Sequence, residues 1–97
     1  MLKKNLPKAE GLYLYDYILS GNCYKVRLLL CFLELNHELI PIDFFPGFEH
    51  KQPDFLQINP LGQIPVIMDD GFILPDAQAI LVYLAVKYDS RGSWYPK

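Results

Sequence analysis

Two stretches of this chain are apolar almost all the way round a helix, and that limits what it can fold into. In residues 23–35, Val26, Leu28, Leu29, Leu30, Cys31, Phe32, Leu33 and Leu35 are apolar, and only Lys25, Arg27 and Glu34 interrupt them. In residues 77–86, Ala77, Ala79, Ile80, Leu81, Val82, Tyr83, Leu84, Ala85 and Val86 repeat the pattern. A helix with one apolar stripe suits a surface, whereas one apolar all round must be covered on more than one side. A chain of 97 residues has room for one domain. Area scaling has it burying roughly 65% of its unfolded surface, enough for one modest core. The apolar fraction of 52% is slightly high for such a domain, so the excess needs a destination. Both helices are therefore expected to leave an exposed apolar face unless something covers it, as association sites do.

The remaining segments supply the strands for the helices to pack on. Leu12-Tyr13-Leu14-Tyr15-Asp16-Tyr17 reads as a strand, with tyrosines at period two along one face. Ser20-Gly21-Asn22 is a turn cluster, and Asn22 is a candidate cap for the first helix. Leu39-Ile40-Pro41-Ile42-Asp43-Phe44 is a second strand, marked by Pro41 as an edge. A loop over 45–53 follows, then one helical turn over 54–58 and a turn at Asn59-Pro60-Leu61-Gly62. Ile64-Pro65-Val66-Ile67-Met68 and Phe72-Ile73-Leu74 are strands joined by the hairpin signal Asp69-Asp70-Gly71. Pro75-Asp76 is expected to open the last helix, with Pro75 in its first turn. The order is βαβ then ββα. Its crossover should be right-handed with the first two strands parallel, and the hairpin strands should be antiparallel. This is an α/β, thioredoxin-like arrangement: a four-stranded mixed sheet flanked by helices. The expected limits are a loose arm over 1–11, the domain over 12–88, and a tail over 89–97 that begins an interdomain linker.

The net charge of -2 argues against nucleic acid, which favours basic patches. No apolar run reaches membrane-span length, and the start Met1-Leu2-Lys3-Lys4-Asn5-Leu6-Pro7 lacks the apolar core of a signal peptide, so the expected location is the cytoplasm. Cys23 and Cys31 are eight apart and form no CxxC. They suggest packing rather than a disulfide framework, with Cys31 in the core.

Three segments resemble the N-terminal domain of glutathione transferases, in particular bacterial, theta- or zeta-like members of the serine type. Ser20-Gly21-Asn22-Cys23-Tyr24-Lys25-Val26-Arg27 resembles the turn that carries the catalytic serine. Ile58-Asn59-Pro60-Leu61-Gly62-Gln63-Ile64-Pro65-Val66-Ile67 resembles the segment leading into the family's cis-proline strand. Leu74-Pro75-Asp76-Ala77-Gln78-Ala79-Ile80-Leu81-Val82-Tyr83-Leu84 resembles the helix start that holds the γ-glutamyl end of glutathione. The ordered set covers about residues 12–95.

The resemblance implies a site. Glutathione reacts as its thiolate, and Ser20 would donate to that sulfur a charge-assisted hydrogen bond of about 1.5–3 kcal/mol. At about 1.4 kcal/mol per pKa unit, the thiol pKa would fall by one to two units, with the helix N-terminus adding to the effect. Cys23, near the same helix start, is the alternative nucleophile. Ile64, before a cis Pro65, would offer its backbone to the peptide ligand like an added strand. His50 or Lys51, with Gln63, would meet the glycine end. Asp76 would bear on the γ-glutamyl amine. Ala77 stands where the family has serine, so it offers a backbone N–H but no hydroxyl, and the missing bond would weaken glutathione at least tenfold, from about 1.5–3 kcal/mol. Tyr13, Tyr15 and Tyr17 are better explained as a strand face than as thiol activators.

Three functions compete: transfer of glutathione to a small electrophile, a glutathione- or protein-binding module without turnover, and a glutaredoxin-like redox protein using Cys23. In each, glutathione is the ligand or substrate and no metal is called for. The apolar faces of the helices call for a homo-oligomer, such as a dimer, or for the all-helical domain that the resemblance implies, which is absent from these 97 residues and would complete the electrophile pocket.

Overall fold

A computed structural model describes residues 10–89. The expected arm over 1–11 and tail over 89–97 therefore lie almost wholly outside the described residues. The elements are β1 (Leu12–Asp16), α1 (Gly21–Phe32), β2 (Glu38–Pro41), a 3-10 turn (Glu49–Lys51), α2 (Pro53–Ile58), β3 (Val66–Asp69), β4 (Phe72–Pro75) and α3 (Ala77–Tyr88).

The four strands form one mixed sheet in the order β2-β1-β3-β4. β1 and β2 are parallel, while β3 runs antiparallel to both β1 and β4. Pro41 ends an edge strand, as its missing N–H requires. Alternation along β1 feeds two cores, one on each face. Tyr13 and Tyr15 join Ile40, Ile42, Phe55 and Val66 on the face that α2 covers. Leu12 and Leu14 join Val26, Leu30, Ile67, Ile80 and Leu84 beneath α1 and α3. The central strand β1 is thus buried from end to end.

Local chemistry corrects four details. The cap of α1 is Ser20, whose side chain accepts from the Cys23 N–H, and Asn22 lies inside the helix. That helix stops at Phe32 although the apolar pattern runs on to Leu35. Glu34 takes a left-handed φ of 55°, and Glu34 and Leu35 donate back to the Cys31 and Leu30 carbonyls, a Schellman ending. Cys31 is exposed, because it points about 100° around the helix from the buried Leu30. Pro75 completes β4 opposite Val66 instead of starting α3, which begins at Ala77 behind an Asp76 cap.

The two helices find unequal cover. On α1, Tyr24, Leu28 and Phe32 remain exposed along one side, at 55%, 41% and 51%. On α3 Leu81, Val82 and Tyr83 are half-buried, and Val86 is exposed.

Candidate functional site

The register of the sheet gathers the three motif segments at one end. Tyr15 pairs with Val66, and Val66 pairs with Pro75. The end of β1, the start of β3 and the end of β4 therefore lie side by side. From these ends spring the turn to Ser20, the Ile64-Pro65 approach and the Asp76-Ala77 helix start.

Ser20 leaves the β1–α1 turn in an extended conformation, with its own N–H bonded to the Tyr17 carbonyl at 3.0 Å. Its Oγ accepts from the Cys23 N–H at 3.1 Å. A hydroxyl has two lone pairs and one proton, so capping leaves the proton to be donated. Cys23 is fully buried. Burial pushes its thiol above the ordinary value, against the opposing pull of hydrogen bonds with the Ser20 side chain and the Tyr17 backbone. A reactive cysteine needs the reverse, a depressed pKa and access.

Beside this turn lies a cavity of about 410 Å³ lined by Asn22, Phe44, His50, Lys51, Gly62, Gln63 and Ile64. It brings together four expected residues: His50, Lys51, Gln63 and Ile64. Ser20, Pro65, Asp76 and Ala77 are not part of the lining. Ser20 stands two residues before Asn22, and Asp76 follows the Pro75 that pairs with Val66. A second cavity, of about 400 Å³ near His37 and Glu38 at the other end of β1, collects none of them.

His50 is 5% exposed, and its Nδ1 has no hydrogen-bond partner among the described residues. Its ring lies parallel to Phe44 at 3.9 Å, and Phe44 stacks in turn on Tyr17 at 5.2 Å. Burial, followed by the charge of Lys51, lowers the His50 pKa below its ordinary 6.5. His50 is therefore uncharged at neutral pH and Lys51, exposed with Nζ 3.4 Å from the Leu61 carbonyl, is the cation of the pair.

The turn beneath them is built by Asn59, whose buried side chain donates to the Gln63 carbonyl at 2.9 Å and accepts from the Leu61 N–H at 3.2 Å. Gly62 has φ +61°, and a Cβ there would come within 2.9 Å of the His50 carbonyl. The Ile64-Pro65 peptide is cis, and so is Phe45-Pro46.

Asp76 has φ 80° and spends one carboxylate oxygen on the Ala79 N–H at 3.1 Å, capping α3. Its other oxygen keeps acceptor capacity. Of the strand tyrosines, Tyr13 and Tyr15 are core residues, and burial raises the Tyr15 pKa. Sequence reasoning missed Asn22, Phe44 and Gly62 as cavity walls. An Asn in a helix start and a Phe in a loop carry no signal of which cavity they will meet.

A βαβ–ββα domain with a cavity at the junction of these segments defines a thioredoxin-like fold. Residues 10–86 match the family model of the glutathione S-transferase N-terminal domain. Glutathione S-transferase 3 of Zea mays is 44% identical over 82 residues, 84% of this chain and 36% of that protein. Human glutathione S-transferase theta-2 is 48% identical over 59 residues, 61% of this chain and 24% of that protein. Glutathione transferase E6 of Drosophila melanogaster superposes with a TM-score of 0.85 at 34% identity, over 89% of this chain and 39% of that one. The chain belongs to the glutathione S-transferase family and corresponds to its N-terminal domain. It spans about a third of the length of the curated relatives it matches.

Proposed function

We propose that this chain, over residues 12–88, is the glutathione-binding domain of a glutathione transferase, and that Ser20 activates the glutathione thiol for attack on a small electrophile. The observation that carries this reading is Ser20 itself. Its hydroxyl stands at the N-terminus of α1 with a proton to donate, beside a cavity lined by a cation, an uncharged imidazole and Ile64. Lys51 attracts the glycine carboxylate, with His50 and Gln63 as hydrogen-bonding neighbours. Ile64, leading into Pro65, pairs with the peptide backbone of glutathione. The free acceptor capacity of Asp76 and the N–H groups at the start of α3, Ala77 included, hold the γ-glutamyl end.

An all-helical domain supplies the other wall of the electrophile pocket, and a homo-oligomer in the cytoplasm is the working form. The exposed stripe Tyr24, Leu28, Phe32 on α1 supports such a covering partner. Ala77 favours one second reading, a binding module without turnover, because it lacks the hydroxyl expected for the γ-glutamyl carboxylate. The redox reading through Cys23 is disfavoured by burial of that thiol.

Isothermal titration of glutathione into the protein, alongside Ser20→Ala and Ala77→Ser, tests the proposal. Binding strengthened about tenfold by Ala77→Ser, as one regained charge-assisted bond implies, is expected. Absence of heat in all three proteins sinks it. Binding with no conjugation of a model electrophile, even when the helical domain is present, moves the assignment to the module.

A further inference from the structure

The turn that presents Ser20 has little packing to hold it. It runs from Tyr17 to Ser20, closed by the Ser20 N–H on the Tyr17 carbonyl, and its tip residues Ile18 and Leu19 are 71% and 78% exposed. One side chain of α1 reaches back across it. Arg27, seven residues on from Ser20, pairs through Nη1 with the carboxylate of Asp16 at the end of β1, and both side chains are largely buried. The same guanidinium donates to the Tyr17 carbonyl at 3.4 Å and to the Ile18 carbonyl at 3.3 Å. Its central carbon lies over the Tyr24 ring, 5.7 Å from the centroid. The rigid fork of an arginine can span a carboxylate and two carbonyls at once, where a lysine presents a single point charge.

We infer that Arg27 is a positioning residue for thiol activation: through Asp16 and the Tyr17 and Ile18 carbonyls it fixes the turn that aims the Ser20 hydroxyl. This role rests on the Ser20 reading above. Arg27 acts by geometry, its fork shared by the Asp16 carboxylate and the Tyr17 and Ile18 carbonyls. At the neighbouring Cys23, where burial dominates, Asp16 pushes the thiol up and Arg27 pushes it down, so the two charges oppose each other there. Losing Arg27 therefore has two consequences in the same direction. The turn is freed, and an unpaired carboxylate is left near the place where the thiolate must form. Neither reaches the side of the cavity formed by Lys51, Gln63 and Ile64, so glutathione itself should still be held.

The experiment follows the ultraviolet absorbance of the thiolate when glutathione is added across a pH series, with the dissociation constant measured in parallel at a pH where the thiol is protonated. Wild type, Arg27→Ala and Arg27→Lys are compared, and circular dichroism reports their folding. In Arg27→Ala the pKa of the bound thiol should rise by about one unit, a tenfold loss of thiolate below that pKa, with the dissociation constant changed less than about threefold. Arg27→Lys should fall in between, since it keeps the charge but not the fork. A folded Arg27→Ala with an unshifted thiol pKa overturns the inference while leaving Ser20 in place. So does a weakening of glutathione binding that accounts for the whole effect. If Arg27→Ala does not fold, an unshifted pKa in Arg27→Lys overturns it instead. A wild-type protein that binds glutathione without any thiolate band refutes the Ser20 reading, and the role of Arg27 falls with it.

Discussion

Replacing Asp69 by Asn should destabilise the domain at neutral pH and do almost nothing in acid. Asp69 closes β3 and is 3% exposed. Its Oδ2 accepts from Tyr88 Oη at 2.7 Å, Tyr83 Oη at 2.8 Å and Lys87 Nζ at 2.9 Å, all on the last two turns of α3. Burial works to raise the Asp69 pKa, but the three donors together outweigh it and hold the carboxyl below its ordinary 3.8. The same contacts raise the pKa of Lys87. Bonds to a charged acceptor contribute about 1 kcal/mol more than bonds to a neutral one. Counting only the two phenols, Asp69→Asn should cost about 1–2 kcal/mol. That corresponds to a drop in Tm of about 5–15 °C for a domain of this size. A carboxyl whose pKa is depressed by folding contributes stability above its unfolded pKa and loses it as pH falls through the folded value. The gap between wild type and variant should thus be full at pH 6–7, narrow as pH falls below the ordinary 3.8, and close only below the depressed folded value, where Asp69 is protonated and resembles Asn. Urea unfolding followed by circular dichroism at several pH values measures it. A gap that stays constant down to acid pH would show that shape, not charge, is what Asn disturbs, and the reasoning would be wrong.

Three further outcomes are expected. Gly62→Ala combines a left-handed φ with a Cβ 2.9 Å from the His50 carbonyl, so it should cost about 2–3 kcal/mol in urea unfolding; a neutral effect would mean the turn has room to shift. Glu34→Gly should stabilise by up to about 1 kcal/mol, since Glu34 holds the left-handed position of the α1 ending, φ 55°, where glycine pays no steric cost; thermal melting checks this, and a lower Tm would contradict it. With a thiol reagent under native conditions, Cys31 should label quickly and Cys23 only at the rate of unfolding, because one is exposed and the other buried; rapid labelling of both, counted by mass spectrometry, would reopen a redox role for Cys23.

The order of elements, the parallel and antiparallel pairings and the edge position of Pro41 were all legible in the sequence. Each depends on signals within a few residues: period-two runs, a hairpin tripeptide, a proline. What escaped depends on phase or on distant partners. A helix apolar all round has no phase, so nothing marked Cys31 as exposed and Leu30 as buried. Ser20 and Asn22 are equally good cap residues, and only the bond from the Cys23 N–H decides between them. Pro75 suits a helix start or a strand end, and its pairing with Val66 settles the matter from nine residues away. At the site, the four cavity residues His50, Lys51, Gln63 and Ile64 were readable only through the family motif. The contribution of Phe44, stacked on His50, and the Asp69 cluster, which joins β3 to the far end of α3, required the chain to be folded first.

The register that sets Tyr15, Val66 and Pro75 in a row has one more consequence. The chain's three contributions to the site hang from three different strands, and β3 is the piece between the other two. A molecule touching all three segments is a stitch across the sheet: it cannot bind if β3 has slipped or peeled away. Its binding free energy is thereby folding free energy, about 2.7 kcal/mol at a ligand concentration one hundred times the dissociation constant. In a domain with part of α1 still uncovered, saturation with its ligand becomes a means of keeping the sheet closed.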